Sequence, residues 1–359
     1  MKISKKVLAL LITAALVLCF VGCQAKEETT DTVNHDAETT PEANSMALTE
    51  AQNLTFTTGS VNGSWYSQAG VIADTIRAGL PSGSTVTVQP GGGVSNIATI
   101  SLGNADIGQA HTCYANWAYA GNGPFDQVYS DIKGICTLDQ MFLLFVADAD
   151  CGFDSFKEIA DNQLKTRITT QRPSSDGGGF LSTVVMEEYG LGEYTSTDYY
   201  ANLLSWGGNF LVGGNHNECK EFMADNKADL WGLVASAGQS QVVELGSSRD
   251  IKFIPIDSDV LDALCEKYGL SKYTVPAGTF DGQTEDYETI SVMSTLSANA
   301  NVDDAVVYNI MDSIAKGRDD LVAAFPNLSV FDPATSWEGI GYDLHPGAAQ
   351  WYRDNGYMD

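Results

Sequence analysis

Several short stretches rich in Gly, Ser, Thr and Asn follow directly on apolar runs, and they hold the side chains best suited to gripping a small ligand. The first comprises Gly59, Ser60, Gly63 and Ser64, continued by the aromatic pair Trp65 and Tyr66. Leu54 and Phe56 alternate with threonines before it, as in a strand. Ala69, Ile72, Ala73, Ile76 and Leu80 recur at helical spacing after it. A loop so placed presents backbone N–H groups and hydroxyls at the positive end of a helix, where an anion is favoured. The same residues also serve an ordinary strand-to-helix connection with Ser64 as N-cap.

The arrangement recurs. A strand at 85–89 leads into Gly91, Gly92, Gly93, Ser95 and Asn96, and a helix bearing Ile97, Ile100 and Leu102 follows. A short strand at 105–109 leads into His111 and Thr112, at the start of a helix with Tyr114, Trp117 and Tyr119. Further along, 168–171 opens onto Arg172, Ser174, Ser175 and a run of three glycines, and 230–234 opens onto Ala235 and Ser236. Strand carboxyl ends are where open α/β sheets collect ligands, so this repetition predicts a binding cleft. Arg172 stands out among only 19 basic residues, as a bidentate partner for a carboxylate or for one of many surface acids.

Other chemistries lack their signatures. Neither glycine run is followed by the Lys-Ser/Thr of a P-loop, and the turns suit a smaller anion such as a carboxylate. The four histidines are dispersed without metal-ligand spacing, and no cofactor is expected. No Gly-x-Ser-x-Gly elbow is present, so an exported hydrolase using His111 or a serine is the rival reading without a specific motif.

The surrounding chain sets the context. Its 359 residues suffice for two lobes of roughly 100–200 residues each. A formal charge of −27 repels phosphates and excludes nucleic acid as a partner. Residues 1–22 form a signal peptide: Lys2, Lys5 and Lys6 precede an apolar run ending in Gly22. The segment 20–23 resembles a bacterial lipobox and implies a lipidated Cys23, with Phe20 in place of the usual small aliphatic residue. Residues 23–53, polar and nearly free of aliphatic periodicity, are then a flexible tether. No later stretch reaches the roughly 20 apolar residues of a membrane span. Beyond the lipid site, five scattered cysteines argue against a zinc site or a disulfide framework.

Short apolar strands alternating with amphipathic helices predict an α/β fold with largely parallel sheets. A buried strand is expected at 141–147 and a crossing into a second lobe at 148–154. A strand over 289–300 returns to the first. The lobes are therefore expected at 54–147 with 288–359, and at 148–287.

The segments 58–66, 91–96 and 105–108, with 275–286 and 345–352 later in the chain, resemble the TAXI family of solute receptors. These serve one branch of the tripartite ATP-independent periplasmic (TRAP) transporters. The resemblance spans Leu54 to about Arg353 and implies a two-lobed periplasmic-binding-protein-like (type II) fold with a ligand cleft between lobes. It implies a non-enzymatic, lipid-anchored receptor on the outer face of a bacterial cell membrane. Such a receptor captures a small carboxylate-containing solute, an amino acid such as glutamate or glutamine or a dicarboxylate, and delivers it to an integral-membrane TRAP permease. The ligand-binding set it implies is Gly59, Ser60, Ser64, Trp65, Tyr66, Ser95, Asn96, His111, Thr112, Arg172, Ser174, Ser175, Ala235 and Ser236. His111 and Thr112 stand where the family usually has Gln-Ser, and 172–177 replace its glycine-rich turn ending in Gly-Thr.

Overall fold

The computed structural model describes residues 46–61, 63–194 and 198–359. The signal peptide, Cys23, most of the tether and Asn62 lie outside the described residues.

Ten strands form one hydrogen-bonded network: β1 (Asn53–Thr57), β2 (Thr85–Gln89), β3 (Ile107–His111), β4 (Ile132–Asp148), β5 (Arg167–Gln171), β6 (Asn209–Gly213), β7 (Leu230–Ala235), β8 (Ile251–Phe253), β9 (Ser271–Val275) and β10 (Tyr287–Asn299). Their order is β2-β1-β3-β10-β4-β7-β5-β6, with β8 on β4 and β9 on β10. β1 pairs in parallel with β2 and β3, and β5 pairs in parallel with β6 and β7. Between these two parallel groups run β4 and β10, antiparallel to each other and to their neighbours. The expectation of parallel strands holds within each group and fails at the two strands that join them.

These two strands are long because each serves both groups. The first part of β4 pairs with Thr295–Asn299 of β10, while Phe142–Ala147 pair with β7. Strand β10 pairs with β9 through Tyr287–Ser291 and with β3 through Ser294–Ala298. Its register against β4 shifts between Met293 and Thr295 and again between Leu296 and Ser297, bulges that bend the ribbon where it changes partners. The expected strand at 141–147 is thus only the end of β4. Its earlier part carries Lys133, Gly134, Thr137 and Gln140, which break the apolar run that signals a buried strand. Strand β8 is only three residues long, and Pro255 just beyond it offers no N–H to a ladder.

Among the described residues, twelve α-helices pack on this frame: α1 (Ser64–Gly79), α2 (Ser95–Ser101), α3 (Thr112–Ala120), α4 (Phe156–Asp161), α5 (Gly177–Glu188), α6 (Ala201–Ser205), α7 (His216–Ala224), α8 (Ser240–Ser248), α9 (Ser258–Tyr268), α10 (Asp304–Lys316), α11 (Arg318–Ala324) and α12 (Pro346–Asp354). Ala69, Ile72, Ala73 and Ile76 of α1 form the buried stripe their spacing predicts. They share a core with Phe56, Ile310, Ile314, Trp351 and Tyr352. A second core gathers Phe145, Phe156, Val184 and Leu230, and a third Phe142, Trp231 and Leu245. No described helix is long and apolar enough to cross a membrane. Cys113, Cys136, Cys151, Cys219 and Cys265 are free thiols.

At the middle of β4, the fully buried Asp139 carboxylate ties this strand to β10, to the end of β7 and to the turn at 326–330. It accepts hydrogen bonds from Ser236 Oγ at the end of β7 (2.9 Å), from Asn327 Nδ2 (2.7 Å) and from Ser294 Oγ of β10. Burial raises its pKa above the usual carboxylate value, and the three donors work against that rise. Asp139→Ala leaves all three without their shared acceptor and is expected to cost about 3 kcal/mol. Asp139→Asn, which keeps a carbonyl acceptor, costs less. Urea unfolding of both variants checks this, and an alanine variant as stable as wild type contradicts it.

Candidate functional site

Residues at or just past the carboxyl ends of β1, β3, β5 and β7 meet the starts of α1, α5 and α7 at a common cleft. The cavity proper is small, about 40 Å³, and reaches about 420 Å³ only when all space between its atoms and the open solvent at its mouth are counted. One wall consists of Gly59, Ser60, Gly63, Ser64 and Trp65 from the β1–α1 junction, with His111 from the end of β3. The facing wall consists of Gln171, Asp176, Gly178, His216 and Val234. Met141, from the middle of β4, lies between them.

Four polar side chains of this cavity bury atoms that have no hydrogen-bond partner among the described residues: Trp65 Nε1, both ring nitrogens of His111, Gln171 Oε1 and His216 Nδ1. Native interiors rarely leave such groups unmatched, and five of the eleven such side-chain atoms among the described residues converge on this one cavity. The Trp65 and His111 rings lie 4.5 Å apart, centroid to centroid, and tilted by 33°. Burial lowers the His111 pKa to about 3 and moves that of His216 down as well, so both rings are neutral at physiological pH. Asp176 shows the opposite response: burial raises its pKa, while proximity to His216 and the N–H groups of Gly179 and Gly178 oppose the rise.

Asp176 is also the N-cap of α5, accepting from Gly179 N at 2.8 Å, and its other oxygen accepts from Gln171 Nε2 at 3.3 Å. That second bond fixes the Gln171 amide with Oε1 turned away from the carboxylate. Helix α1 differs, because its N-cap Gly63 has no side chain with which to cap it. The first turn of α1, whose Ser64 and Trp65 line the cavity, thus has no capping side chain for its N–H groups.

The glycine runs act by permitting close approach. A Cβ on Gly93 would lie 2.7 Å from His111 Nδ1, and one on Gly178 would lie 2.4 Å from Val234 N. Gly177, Gly178 and Gly179 form the first turn of α5, packed on β5 and β7, rather than a free anion loop. The walls meet beside the cavity, where Val94 N and Ser95 N both donate to Ser175 O at 3.1 Å and Tyr114 Oη donates to Gly177 O at 2.6 Å.

Of the residues expected from sequence, Gly59, Ser60, Ser64, Trp65 and His111 line the cavity. His111 ends β3 and is the N-cap residue of α3 without a capping side-chain bond. Tyr66 and Thr112 are partly buried beside the wall without lining it. Ser95 and Ser175 sit on the seam between the walls. Asn96 is not available to a ligand: its Oδ1 accepts from Thr57 Oγ1 and Gly92 N, and its Nδ2 donates to Thr58 O and Gln109 O. Ser236 turns its hydroxyl to Asp139, and Ala235 is buried in β7, paired with Phe142. Arg172 is exposed at a side opening that shares Ser60, Gln171 and Asp176 with the cavity, and Ser174 is exposed in a separate groove beside Tyr199.

Gln171, Asp176 and His216 were missed. Asp176 carries a readable signal, an Asp immediately before a helix and three residues ahead of the N–H it caps. His216 follows β6, whose exposed Asn-Phe-Leu-Val-Gly has no strand alternation to announce it. No metal-binding cluster of His, Cys, Asp or Glu exists among the described residues.

The molecule has the two-lobed, periplasmic-binding-protein-like α/β fold. The chain belongs to the NMT1-like family, which it matches over residues 56–356. MatC of Rhodopseudomonas palustris, solved with malate bound, is similar in fold, with a TM-score of 0.51 and 12% identity over 84% of this chain and 98% of its own. The periplasmic binding protein BugD gives 0.48 and 14%, over 86% of this chain and 94% of its own. The substrate-binding protein of an amino acid ABC transporter gives 0.42 and 10%, over 76% and 98%.

His111 is neutral in the folded protein down to about pH 3, whereas in the unfolded chain it binds a proton near its ordinary 6.5. Its burial therefore contributes stability that is complete above 6.5 and is lost as pH falls below it. Between pH 7 and pH 5 the expected loss from this residue is about 2 kcal/mol. Urea midpoints at the two pH values should lie closer together in His111→Gln than in wild type. An unchanged separation contradicts a buried neutral ring.

Proposed function

We propose that this protein is the extracytoplasmic solute receptor of a TRAP-type transporter of the TAXI branch. It captures a small carboxylate-containing solute between its lobes and delivers it to an integral-membrane permease. The observation that carries this reading is the cavity whose buried Trp65, His111, Gln171 and His216 atoms find no partner among the described residues. A bound solute supplies those partners and favours the closed arrangement through contacts with both walls at once. The uncapped N-terminus of α1 and the Trp65 N–H suit a carboxylate.

In this reading one lobe comprises 54–147 with 288–359 and the other 148–287; β4 and β10 then belong almost entirely to the first lobe, and their segments Phe142–Ala147 and Tyr287–Ser291 pair with β7 and β9 of the second. A signal peptide over 1–22, a lipid on Cys23 and a tether over 23–53 hold the receptor at the outer face of the membrane. The hydrolase alternative is weaker on geometry. No hydrogen bond joins His111 or His216 to a serine or a carboxylate among the described residues, so neither is organised as a general base.

Native mass spectrometry of the protein as purified tests the reading. A co-purified small carboxylate, bound stoichiometrically and without turnover, is the expected result. Its readdition at a hundredfold excess over its dissociation constant should stabilise the protein by about 2.7 kcal/mol. Trp65→Ala should abolish most of that gain. Absence of any solute, and of any stabilisation by amino acids or carboxylates, overturns the proposal.

A further inference from the structure

The two walls of the cavity have opposite hydrogen-bonding character. On the α1 side the groups of fixed type are donors: Trp65 Nε1–H, on a side chain 7% exposed, and the first-turn N–H groups that Gly63 leaves uncapped. On the α5 side they are acceptors: the Asp176 carboxylate, and Gln171 Oε1 on a side chain also 7% exposed. The Gln171 amide cannot usefully reverse, because its nitrogen already donates to Asp176. Among the described residues no Lys or Arg belongs to the cavity lining, and Arg172 is exposed at the side opening.

The geometry points to Asp176, assisted by Gln171 Oε1, as the group that selects the solute, which is a monocarboxylate carrying a protonated amine and no second carboxylate. This deepens the receptor reading above and rests on it. The solute carboxylate lies at the α1 end, and the amine donates to Asp176 and Gln171. A second carboxylate would face a like charge in a desolvated pocket without a cation to offset it. Dicarboxylates, and amino acids with acidic side chains, are therefore excluded by the Asp176 carboxylate.

Asp176→Asn is the informative change, since asparagine caps a helix about as well as aspartate and the α5 start is retained. Thermal-shift and calorimetric titrations would use alanine, 4-aminobutyrate and lysine against butyrate, succinate, glutarate and glutamate. The tightest binder to wild type should carry one carboxylate and an amine. Asp176→Asn should weaken it about ten- to a hundredfold and narrow the gap to glutarate. Gln171→Leu, which removes an acceptor without changing charge, should weaken it in the same direction. Tightest binding by succinate, glutarate, glutamate or butyrate overturns the assignment and leaves the receptor reading standing. Unchanged affinity in Asp176→Asn also overturns it. No binding by any probe, with no co-purified solute, ends both.

Discussion

Everything in this structure depends on the antiparallel pairing of β4 and β10, the two strands common to both groups of the sheet. Each parallel group contributes one wall of the cavity, and their shared backbone is this ribbon. Its hydrogen bonds cannot be abandoned without exposing or orphaning buried peptide groups, so any change in the angle between walls must be absorbed within it. The register shifts at 293–297 and the Asp139 cluster lie in its middle, beside Met141 in the cavity. The ribbon is thus both the joint between the walls and the floor of the site.

Above that floor the site concentrates groups that are left unmatched only singly elsewhere, such as Trp231 Nε1 and Tyr200 Oη. Other polar groups that lose water gain partners, as Asn96 does with four hydrogen bonds and Tyr114 does with Gly177 O. In the cavity, Trp65, His111, Gln171 and His216 are desolvated without that return. Such a site is costly empty and becomes favourable when a solute supplies the missing partners. Keeping both histidines uncharged limits the cost, because a neutral imidazole is far cheaper to bury than a cation.

What could be read from the sequence follows from which signals are local. The β1–α1, β3–α3 and β5–α5 junctions are each a strand, a polar turn and a helix in one continuous stretch, and all three deliver residues to the cavity. Residues whose roles depend on distant partners were misplaced. Asn96 looked like a ligand donor until its partners from β1 and β3 were visible, and Ser236 until Asp139 was. The mixed composition of β4 hid its first half, because pairing on both sides rather than apolar alternation makes it a strand. His216 was silent for the same reason, since nothing within 209–216 tells of the Asp176 wall it joins.

The central claim is that the buried, unpartnered atoms of the cavity are ligand contacts. The most direct measurement is a nitrogen–proton correlation spectrum of the six tryptophan indoles, with the Trp65 signal assigned through Trp65→Phe and recorded without and with the bound solute. The account predicts that the Trp65 N–H resonance moves downfield on binding, as a new acceptor reaches it, well beyond any change at Trp337 or Trp351. A solute that binds stoichiometrically and leaves the Trp65 resonance in place contradicts it.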